Sequence, residues 1–515
     1  MPCRILCVLL SLVSSAQAAI ELPSMFANSM VIQRDKPVKV WGWASPDSSV
    51  TVRIADQLQT TTADADGKWS VHLKALPAGG PHTLQISGDN SSHTISDVLV
   101  GEVWLCSGQS NMAMTVNRAK DFDQEAAAAT FPQIRMFKVD SGHAQEPQDR
   151  CRGSWSVCSP ETVGGFSATA YFFGRRLHQE LNVPIGLINS SVGGTSIESW
   201  TSMPAQKAVA AIEPRLAAWE KDDADFDADK AAATFNRATE LWKKRAAEAK
   251  AAGKQAPRKP SLAVQPRTDR NYPANLFNGK INPLIGYTIR GAIWYQGENA
   301  AGRGFSHLYG DQLKTLIADW RIRWNQGDFP FAWVQLPNYR TPQTEPSETT
   351  GWVLVQEGML KTLNVPNTGM AVTIDVGEQN DIHPKDKQSV GHRLAQWALQ
   401  GVYDRPLIPM GPIFRQSTIR GRDVMIDFDH ADGLRSATDE VKGFAIAGAD
   451  RKFVWANARI DGEQVIVSSP DVPEPRSVRY AWAANPVFSL YNKANIPASP
   501  FRTDNWTDQG LRPTP

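Results

Sequence analysis

The chain has 515 residues, more than one hydrophobic core supports, so we expect about two to four domains. Its 54 Lys and Arg against 53 Asp and Glu give a formal net charge of +1, which argues against a nucleic acid or an anionic membrane as partner. The 17 tryptophans are many for this length and fit both core packing and surfaces on which sugar rings stack.

The N-terminal residues have the pattern of a secretory signal peptide. Arg4 precedes an apolar run, Ile5–Val13, and small residues end in Ala16-Gln17-Ala18. The run is too short to span a membrane, and no later segment is long and apolar enough to do so. We therefore expect residues 1–18 to be removed and the mature protein to be periplasmic or secreted.

The expected mature chain keeps three of the five cysteines. Cys151 and Cys158 lie seven residues apart and could form a local disulfide in an oxidising compartment. Cys106, at the end of an apolar strand, is expected to be a small buried hydrophobe. Cysteine and histidine pairs with metal-ligand spacing do not occur, so neither a metal nor another cofactor is expected.

The strand and helix signals divide the expected mature chain into three parts. Residues 19–97 alternate polar and apolar positions in short runs such as VKVWGWA and SVTVRIA, which predicts an N-terminal β-sandwich domain. Residues 98–404 alternate strand and helix patterns, which predicts an α/β domain with a parallel sheet. Residues 405–515 return to short strands and predict a C-terminal β domain. The expected parallel strands are Val98–Leu105, Ile134–Val139, Ile185–Asn189, Ile289–Tyr295, Phe331–Gln335 and Met370–Ile374.

One segment, about 205–256, interrupts this alternation. It is rich in Ala, Lys, Glu and Asp and has apolar positions at helical spacing. We expect an inserted helical pair that forms a solvated cover rather than a functional site.

Polar residues follow four of the predicted parallel strands. In a doubly wound sheet, ligands bind beyond the carboxyl ends of the strands, so these residues are candidates for one site. Together they supply a nucleophile, oxyanion donors, and a base with an orienting carboxylate, as acyl transfer requires. They are Gly108-Gln109-Ser110-Asn111, Gly193-Gly194-Thr195, Gln296-Gly297-Glu298-Asn299, and the segment 375–387 with Asp381 and His383.

Each group also has a plainer explanation. A Gly-x-Ser turn after a strand is common, and a Gly-Gly pair often marks only a loop with positive φ. Glu298 and Asn299 could cap a helix. His383 precedes Pro384 where a helix with the stripe Val390, Leu394 and Trp397 is expected to begin. Their joint occurrence in this chain order favours catalysis.

Four segments resemble the bacterial sialate O-acetylesterase family, which belongs to the SGNH hydrolases. They are GQSNM at 108–112, GGTSIESW at 193–200, WYQGEN at 294–299 and DIHPKDKQSVGHRLA at 381–395. C-terminal segments such as LYNKANIPASPFRT are also similar, so the resemblance spans nearly the whole mature chain. It implies an SGNH-hydrolase-like, flavodoxin-like parallel sheet and removal of O-acetyl groups from a carbohydrate.

The resemblance also implies roles for individual residues. Ser110 would be the nucleophile and His383 the general base. The oxyanion would be bound by the N–H groups of Ser110 and Gly194 and by a side-chain amide from Gln296 or Asn299, with Gln296 slightly favoured. Supporting roles fall to Gln109, Asn111 and Glu298.

This chain departs from the family pattern at two positions. The orienting Asp usually lies three residues before the His, but residue 380 is Asn, and Asp381 lies two before. Either Asp381 orients His383, or Glu298 or a backbone carbonyl does and a Ser-His dyad operates. Many relatives have Gly-Glu-x-Asn, whereas here Asn299 comes one residue earlier and Ala300 takes its place.

The sequence thus predicts an exported serine esterase that forms an acetyl-serine. Its substrate would be acetylated hemicellulose, such as xyloglucan or xylan, or O-acetylated sialic acid. A sialate is an anion and calls for an arginine clamp, for which Arg118 and Arg303 are candidates.

The alternative is a non-catalytic carbohydrate-binding protein with a decayed SGNH-like domain, whose signature would be loss of the serine or the histidine. Independent sugar binding by residues 19–98 is a further possibility, but we favour simple packing of that region against the catalytic one.

Overall fold

The computed structural model of the chain describes residues 19–88, 91–302 and 304–506. The expected signal peptide, residues 1–18, lies outside this part of the chain. The described residues form a mixed α/β protein with a large mixed sheet, helices beside it and further β-sheets, which confirms the α/β class. Within these ranges, no helix is both long and apolar enough to cross a membrane.

The alternating N-terminal segments form six β-strands within the described residues. In β2 every second residue is buried, so one face of the strand packs on the core. Strand β2 pairs antiparallel with β5, while β3 pairs antiparallel with β4 and β6. The strands are β1 (Val31–Gln33), β2 (Val38–Trp43), β3 (Ser49–Ile54), β4 (Gln57–Thr62), β5 (Lys68–Leu73) and β6 (Gly79–Gly88).

The central sheet has the strand order β13-β12-β11-β7-β10-β8-β9. Its strands are β7 (Ser91–Gly108), β8 (Phe131–Val139), β9 (Gly153–Cys158), β10 (Ile185–Ser191), β11 (Gly291–Tyr295), β12 (Phe331–Val334) and β13 (Thr368–Ala371). All neighbours pair in parallel except β8 and β9. The parallel strands β7, β8, β10, β11, β12 and β13 are therefore ordered 2-3-1-4-5-6, whereas a flavodoxin-like sheet has 2-1-3-4-5. A flavodoxin-like strand order is not confirmed.

Strand β7 belongs to both sheet systems. Its first part pairs with β6 and with β1, and its second part, from Glu102, pairs with β10 and β11. The strand passes without a break through the boundary expected between residues 97 and 98.

The described part of the chain contains ten α-helices beside the strands. Helix α3 begins at a serine cap, where the Ser167 hydroxyl accepts a hydrogen bond from the Ala170 N–H. The helices are α1 (Ser110–Ala113), α2 (Phe122–Ala127), α3 (Ala168–Leu181), α4 (Met203–Lys207), α5 (Glu213–Ala224), α6 (Ala228–Ala251), α7 (Glu298–Ala301), α8 (Tyr309–Trp324), α9 (Gly351–Lys361) and α10 (Lys387–Gly401). Single 3-10 or π turns lie at Val116–Arg118, Val163–Gly165, Ile197–Trp200, Ala210–Ile212, Pro266–Thr268, Phe277–Ile281, Asn282–Leu284, Ser306–Leu308 and Thr362–Asn364.

The inserted helices differ in how they are anchored. Helix α5 buries Leu216 and Trp219, and its Arg215 forms a buried ion pair with Glu198, 2.5 Å from Nε to Oε1. Helix α6 has no buried residue, as a solvated cover would. The expected cover is thus tied through α5 to the segment that follows Gly193 and Gly194.

The C-terminal strands form three antiparallel sheets. Their orders are β14-β15-β20-β19, β18-β17-β21-β23 and β16-β22. The strands are β14 (Ile413–Arg420), β15 (Asp423–Asp429), β16 (Arg435–Ser436), β17 (Phe444–Ala447), β18 (Val454–Trp455), β19 (Asn457–Asp461), β20 (Gln464–Ser468), β21 (Ser477–Tyr480), β22 (Leu490–Tyr491) and β23 (Phe501–Arg502).

The three cysteines in the described part of the chain are free thiols, so the possible disulfide between Cys151 and Cys158 is not formed. Residues 153–158 form an extended strand, in which each residue adds ~3.3 Å. The strand therefore carries Cys158 too far from Cys151, which precedes it, for a disulfide to form. The Cys158 thiol instead contacts the Ala129 carbonyl at 3.6 Å. Cys106 is fully buried as expected, and burial raises the pKa of its thiol.

Most tryptophans pack in the core rather than on a sugar-stacking surface. Trp294 packs edge-on against both Trp200 and Trp320 beside the central sheet. The buried tryptophans are Trp69, Trp104, Trp200, Trp219, Trp294, Trp320, Trp324, Trp333, Trp352, Trp397 and Trp482.

Candidate active site

The carboxyl ends of three parallel strands meet at one point of the central sheet. Gly108 at the end of β7 is in register with Ser191 of β10 on one side and Tyr295 of β11 on the other. The chain changes direction across the sheet here, because β8 and β10 lie on one side of β7 and the later strands on the other. Such a switch point is where doubly wound sheets bind ligands.

A tight turn places Ser110 at this point. Gly108 has φ +134°, and a Cβ there would lie 2.1 Å from the Tyr295 carbonyl oxygen, so the turn requires glycine. The Gln109 N–H donates to the same oxygen at 2.9 Å. Ser110 then begins α1 and is half-buried.

The Gly193-Gly194 loop lies against Ser110. A methyl group on Gly193 would come within 3.4 Å of Ser110 Cβ, and Gly194 has φ +71°. The preceding N–H, from Val192, donates to the Gly108 carbonyl at 3.1 Å and fixes the loop. Among the described residues, no acceptor binds the N–H of Ser110 or of Gly194. Both are available to a negative charge beside Ser110.

The two candidate amides are bound differently. Gln296 is fully buried, and its Nε2 donates to the Thr195 carbonyl at 3.0 Å and to Gln109 Oε1 at 3.3 Å, so both amide hydrogens are used. The Asn299 Nδ2 makes one bond, to the Gly194 carbonyl at 3.0 Å, and keeps its second hydrogen.

His383 lies in the loop between β13 and α10. The helix begins only at Lys387, where the Asp386 side chain accepts from the Ser389 N–H, so His383 is not part of a helix N-terminus. Asp381 Oδ1 lies 3.5 Å from His383 Nδ1 and accepts the His383 backbone N–H at 2.9 Å. Burial lowers the pKa of His383, against an upward contribution from Asp381. The imidazole is therefore neutral, and able to accept a proton, at neutral pH.

Asn111 connects the nucleophile turn to this loop. Its Nδ2 donates to the Ile382 carbonyl at 3.0 Å and to Glu298 Oε1 at 2.5 Å. Residues adjacent in sequence to Ser110 and to His383 are thus hydrogen-bonded to each other. In the described structure no hydrogen bond joins Ser110 directly to His383. Catalytic hydrogen bonds are often loose without substrate.

The remaining candidates have supporting positions. Gln109 is buried and accepts from Gln296. Glu298 is the first residue of α7 and is buried, and burial raises the pKa of its carboxyl group. Across the described ranges, no three His, Cys, Asp or Glu side chains group closely enough to hold a metal ion.

Two cations at this site, Lys387 and Arg270, were not predicted from the sequence. Lys387 is fully buried, and its ammonium donates to Asn111 Oδ1 at 2.7 Å. A lysine in the first turn of a helix is unfavourable, because its positive charge lies at the positive end of the helix dipole. This unfavourable placement of Lys387 was the feature of the sequence that could have marked it as a functional residue. The exposed Arg270 has its Nη2 3.8 Å from where a Gly194 Cβ would lie. Nothing in its sequence context marks Arg270.

Arg270 is held there by its neighbour. Asn271 accepts the Ser196 N–H on Oδ1 and the Ser196 hydroxyl on its carbonyl, each at 3.0 Å. No side-chain partner of Arg270 is found in residues 19–88, 91–302 and 304–506. Arg118, the other candidate described, lowers the pKa of His383 and so acts on the imidazole. Arg303 lies outside the described residues.

Comparisons with known proteins show the family to which the chain is similar. The family model "Carbohydrate esterase, sialic acid-specific acetylesterase" matches residues 100–221 and 274–400, which contain all four segments. Sialate O-acetylesterase of Mus musculus is 28% identical over 95% of this chain and 95% of its own length. The Homo sapiens protein of that name is 28% identical over 96% and 94%.

A solved structure extends the similarity to the whole fold. A carbohydrate acetylesterase from Xanthomonas citri is 36% identical, covers 95% of this chain and 100% of its own, and has a TM-score of 0.79. The chain therefore belongs to the sialate O-acetylesterase family and is a carbohydrate O-acetylesterase.

Proposed function

We propose that the protein is an exported serine esterase that removes O-acetyl groups from a carbohydrate through an acetyl-serine. Ser110 Oγ attacks the acetyl carbonyl and gives its proton to His383. The tetrahedral intermediate collapses, and His383 returns the proton to the departing sugar hydroxyl. Water, deprotonated by His383, then attacks the acetyl-serine and releases acetate, with the proton returned to Ser110.

The observation that carries this proposal is the arrangement around Ser110. Two unengaged backbone N–H groups, from Ser110 and Gly194, accompany the hydroxyl. The loop that bears His383 is fastened to the same turn through Asn111 and Ile382. This supports one site with a nucleophile, a base and donors for the developing negative charge.

We assign the side-chain oxyanion donor to Asn299 rather than to Gln296. Only Asn299 keeps an unused amide hydrogen, and its bond to the Gly194 carbonyl places it beside the backbone donor. Gln296 donates hydrogen bonds to both Gln109 and Thr195, so it holds the turn before Ser110 and the loop that contains Gly194 at a fixed distance from each other.

Asp381 is the carboxylate that we assign to His383. It is the acid in contact with Nδ1, although 3.5 Å is long for a hydrogen bond and its side chain is 47% exposed. Asp381 therefore orients the loop as well as the ring, and a partly independent Ser-His pair remains active without it.

The substrate classes differ in charge. Acetylated xyloglucan or xylan is neutral at the acetylated sugar, whereas O-acetylated sialic acid carries a carboxylate. The guanidinium of Arg270 beside Gly194 favours the anionic class, because arginine binds carboxylates with charge-assisted hydrogen bonds.

The central experiment measures acetate release by the wild type and by Ser110→Ala. The substrates are acetylated sialic acid, acetylated hemicellulose and an aryl acetate. Ser110→Ala should lose activity on every substrate that the wild type cleaves while keeping the wild-type melting temperature. Residual turnover near the wild-type level would overturn the serine mechanism.

A further inference from the structure

A buried ammonium group lies beneath the proposed active site. Lys387 is fully buried at the first position of α10, and its Nζ donates to Asn111 Oδ1 at 2.7 Å and to the Pro384 carbonyl at 2.5 Å. The ring of Tyr295 lies below it, 5.5 Å from Nζ to the centroid. A lysine is almost never fully buried unless its charge is compensated, so this position demands an explanation.

The lysine fixes the orientation of the Asn111 amide. An ammonium group can only donate, so the oxygen of Asn111 must face Lys387. The Asn111 nitrogen consequently faces Glu298 Oε1 and the Ile382 carbonyl. A single chain of hydrogen bonds therefore runs from Lys387 through Asn111 to the buried carboxylate of Glu298.

This chain of hydrogen bonds holds the backbone on both sides of His383. Asn111 binds the carbonyl before it, at Ile382, and Lys387 binds the carbonyl after it, at Pro384. We propose that Lys387, acting with Asn111 and Glu298, is the positioning residue that holds His383 in place relative to Ser110. The inference rests on the proposed roles of Ser110 and His383.

The charges around Lys387 come from each packed element. Glu298 of α7 faces it, as do Glu378, Asp381 and Asp386 of the loop before α10. Burial outweighs these carboxylates and lowers the pKa of Lys387 to about 7, while burial raises the pKa of Glu298.

The charge of Lys387 also reaches the imidazole. Burial is the largest cause of the lowered pKa of His383, and the charges of Lys387 and Arg118 lower it further against the upward contribution of Asp381. Loss of the Lys387 charge therefore raises the pKa of His383. The acidic limb of kcat/KM against pH, where the base becomes protonated, then moves to higher pH.

The experiment compares Lys387→Met, Lys387→Arg and Glu298→Gln in the full chain, with an aryl acetate as substrate. Lys385→Met is the matched control, because it removes an exposed lysine from the same loop. We expect Lys387→Met to lower kcat by about 10- to 100-fold, with KM within threefold of wild type, since small displacements of a catalytic group have effects of this size. Lys385→Met should match the wild type.

The pH profile separates positioning from a general loss of folding. Lys387→Met should move the acidic limb to higher pH, and Lys387→Arg, which keeps the charge, should leave it in place. Glu298→Gln keeps an acceptor for Asn111 but removes a charge that favours protonated Lys387. It should lower kcat, as Lys387→Met does, with KM within about threefold of wild type (a small displacement of the catalytic group), and it serves as the test if that variant does not fold.

The variants distinguish loss of the proposed positioning role of Lys387 from failure of the serine mechanism. If Ser110→Ala is inactive while Lys387→Met and Glu298→Gln keep wild-type kcat and pH profile, only the positioning role is overturned. A fall in melting temperature with an unmoved limb and unchanged kcat per folded molecule would also overturn it. If Ser110→Ala stays active, the proposed function itself fails.

Discussion

Asp381 holds the backbone of His383 more closely than it holds the ring, at 2.9 Å from the N–H and 3.5 Å from Nδ1. Asp381→Asn should therefore lower kcat/KM by only about tenfold, against the ~10⁴-fold loss in kcat for the corresponding change in a buried triad. Because the Asp381 charge raises the pKa of His383, its removal should also move the acidic limb to lower pH.

The measurement is kcat/KM for an aryl acetate between pH 4 and 9 (about the range in which histidine titrates). Asp386→Asn is an unsuitable control because Asp386 caps α10. Asp404→Asn, in the loop after that helix, is better. A loss as large as that of Ser110→Ala would show a strict triad instead of a partly independent pair.

Removal of the oxyanion amide gives a second prediction. Asn299→Ala should lower kcat by about 10²- to 10³-fold with little change in KM or melting temperature. Gln296→Leu should lower the melting temperature as well, because it leaves the buried Thr195 carbonyl and the buried Gln109 Oε1 without the donor that each has in Gln296. If Gln296→Leu loses turnover at an unchanged melting temperature while Asn299→Ala stays active, the donor is Gln296.

The turn before the nucleophile gives a prediction about stability. Gly108→Ala should lower the free energy of unfolding by more than about 2 kcal/mol, because the new Cβ would meet the Tyr295 carbonyl and φ is positive. Gly142→Ala is the control, since a Cβ there meets no atom within 4 Å. Denaturant unfolding of both variants tests this, and equal stabilities would contradict the role of the turn.

Arg270 should decide between charged and neutral substrates. Arg270→Gln is expected to raise KM for acetylated sialic acid by about 10- to 100-fold, the value of a charge-assisted hydrogen bond. Turnover of acetylated hemicellulose and of the aryl acetate should not change. Arg237→Gln, on the solvated helix α6, is the control. An equal loss on all three substrates would assign Arg270 to the chemistry rather than to the anion.

The sequence was informative where local patterns repeat. Hydrophobic runs predicted five of the six parallel strands to within three residues at either end, but β7 begins at Ser91, seven residues before the expected Val98. The apolar stripe of α10 predicted that helix. The short antiparallel strand β9 was not expected, because GSWSVC is half-exposed and interrupted by serines. The excess of tryptophan fitted both a core and a sugar-stacking surface, and the sequence alone does not separate the two because large aromatic rings fill a large core equally well.

The site was predictable in its residues more than in its contacts. Ser110, Gly194 and His383 follow from strand ends and from the family resemblance. The use of the Gln296 hydrogens by Thr195 and Gln109 depends on atoms far apart in the chain, which no local pattern encodes. The approach of Arg270 to Gly194 likewise depends on how a loop 76 residues further along the chain folds back.

The continuity of β7 has a consequence for dissection of the molecule. A shortened protein that starts at residue 98 would lose β1 to β6 and the first seven residues of a strand whose last residue precedes Gln109. This truncation would remove the hydrogen-bonding partners of the backbone of Val98–Gly101. Strand edges with unpaired N–H and C=O groups associate with one another. Removal of the N-terminal β region is therefore expected to give aggregates, not a smaller esterase.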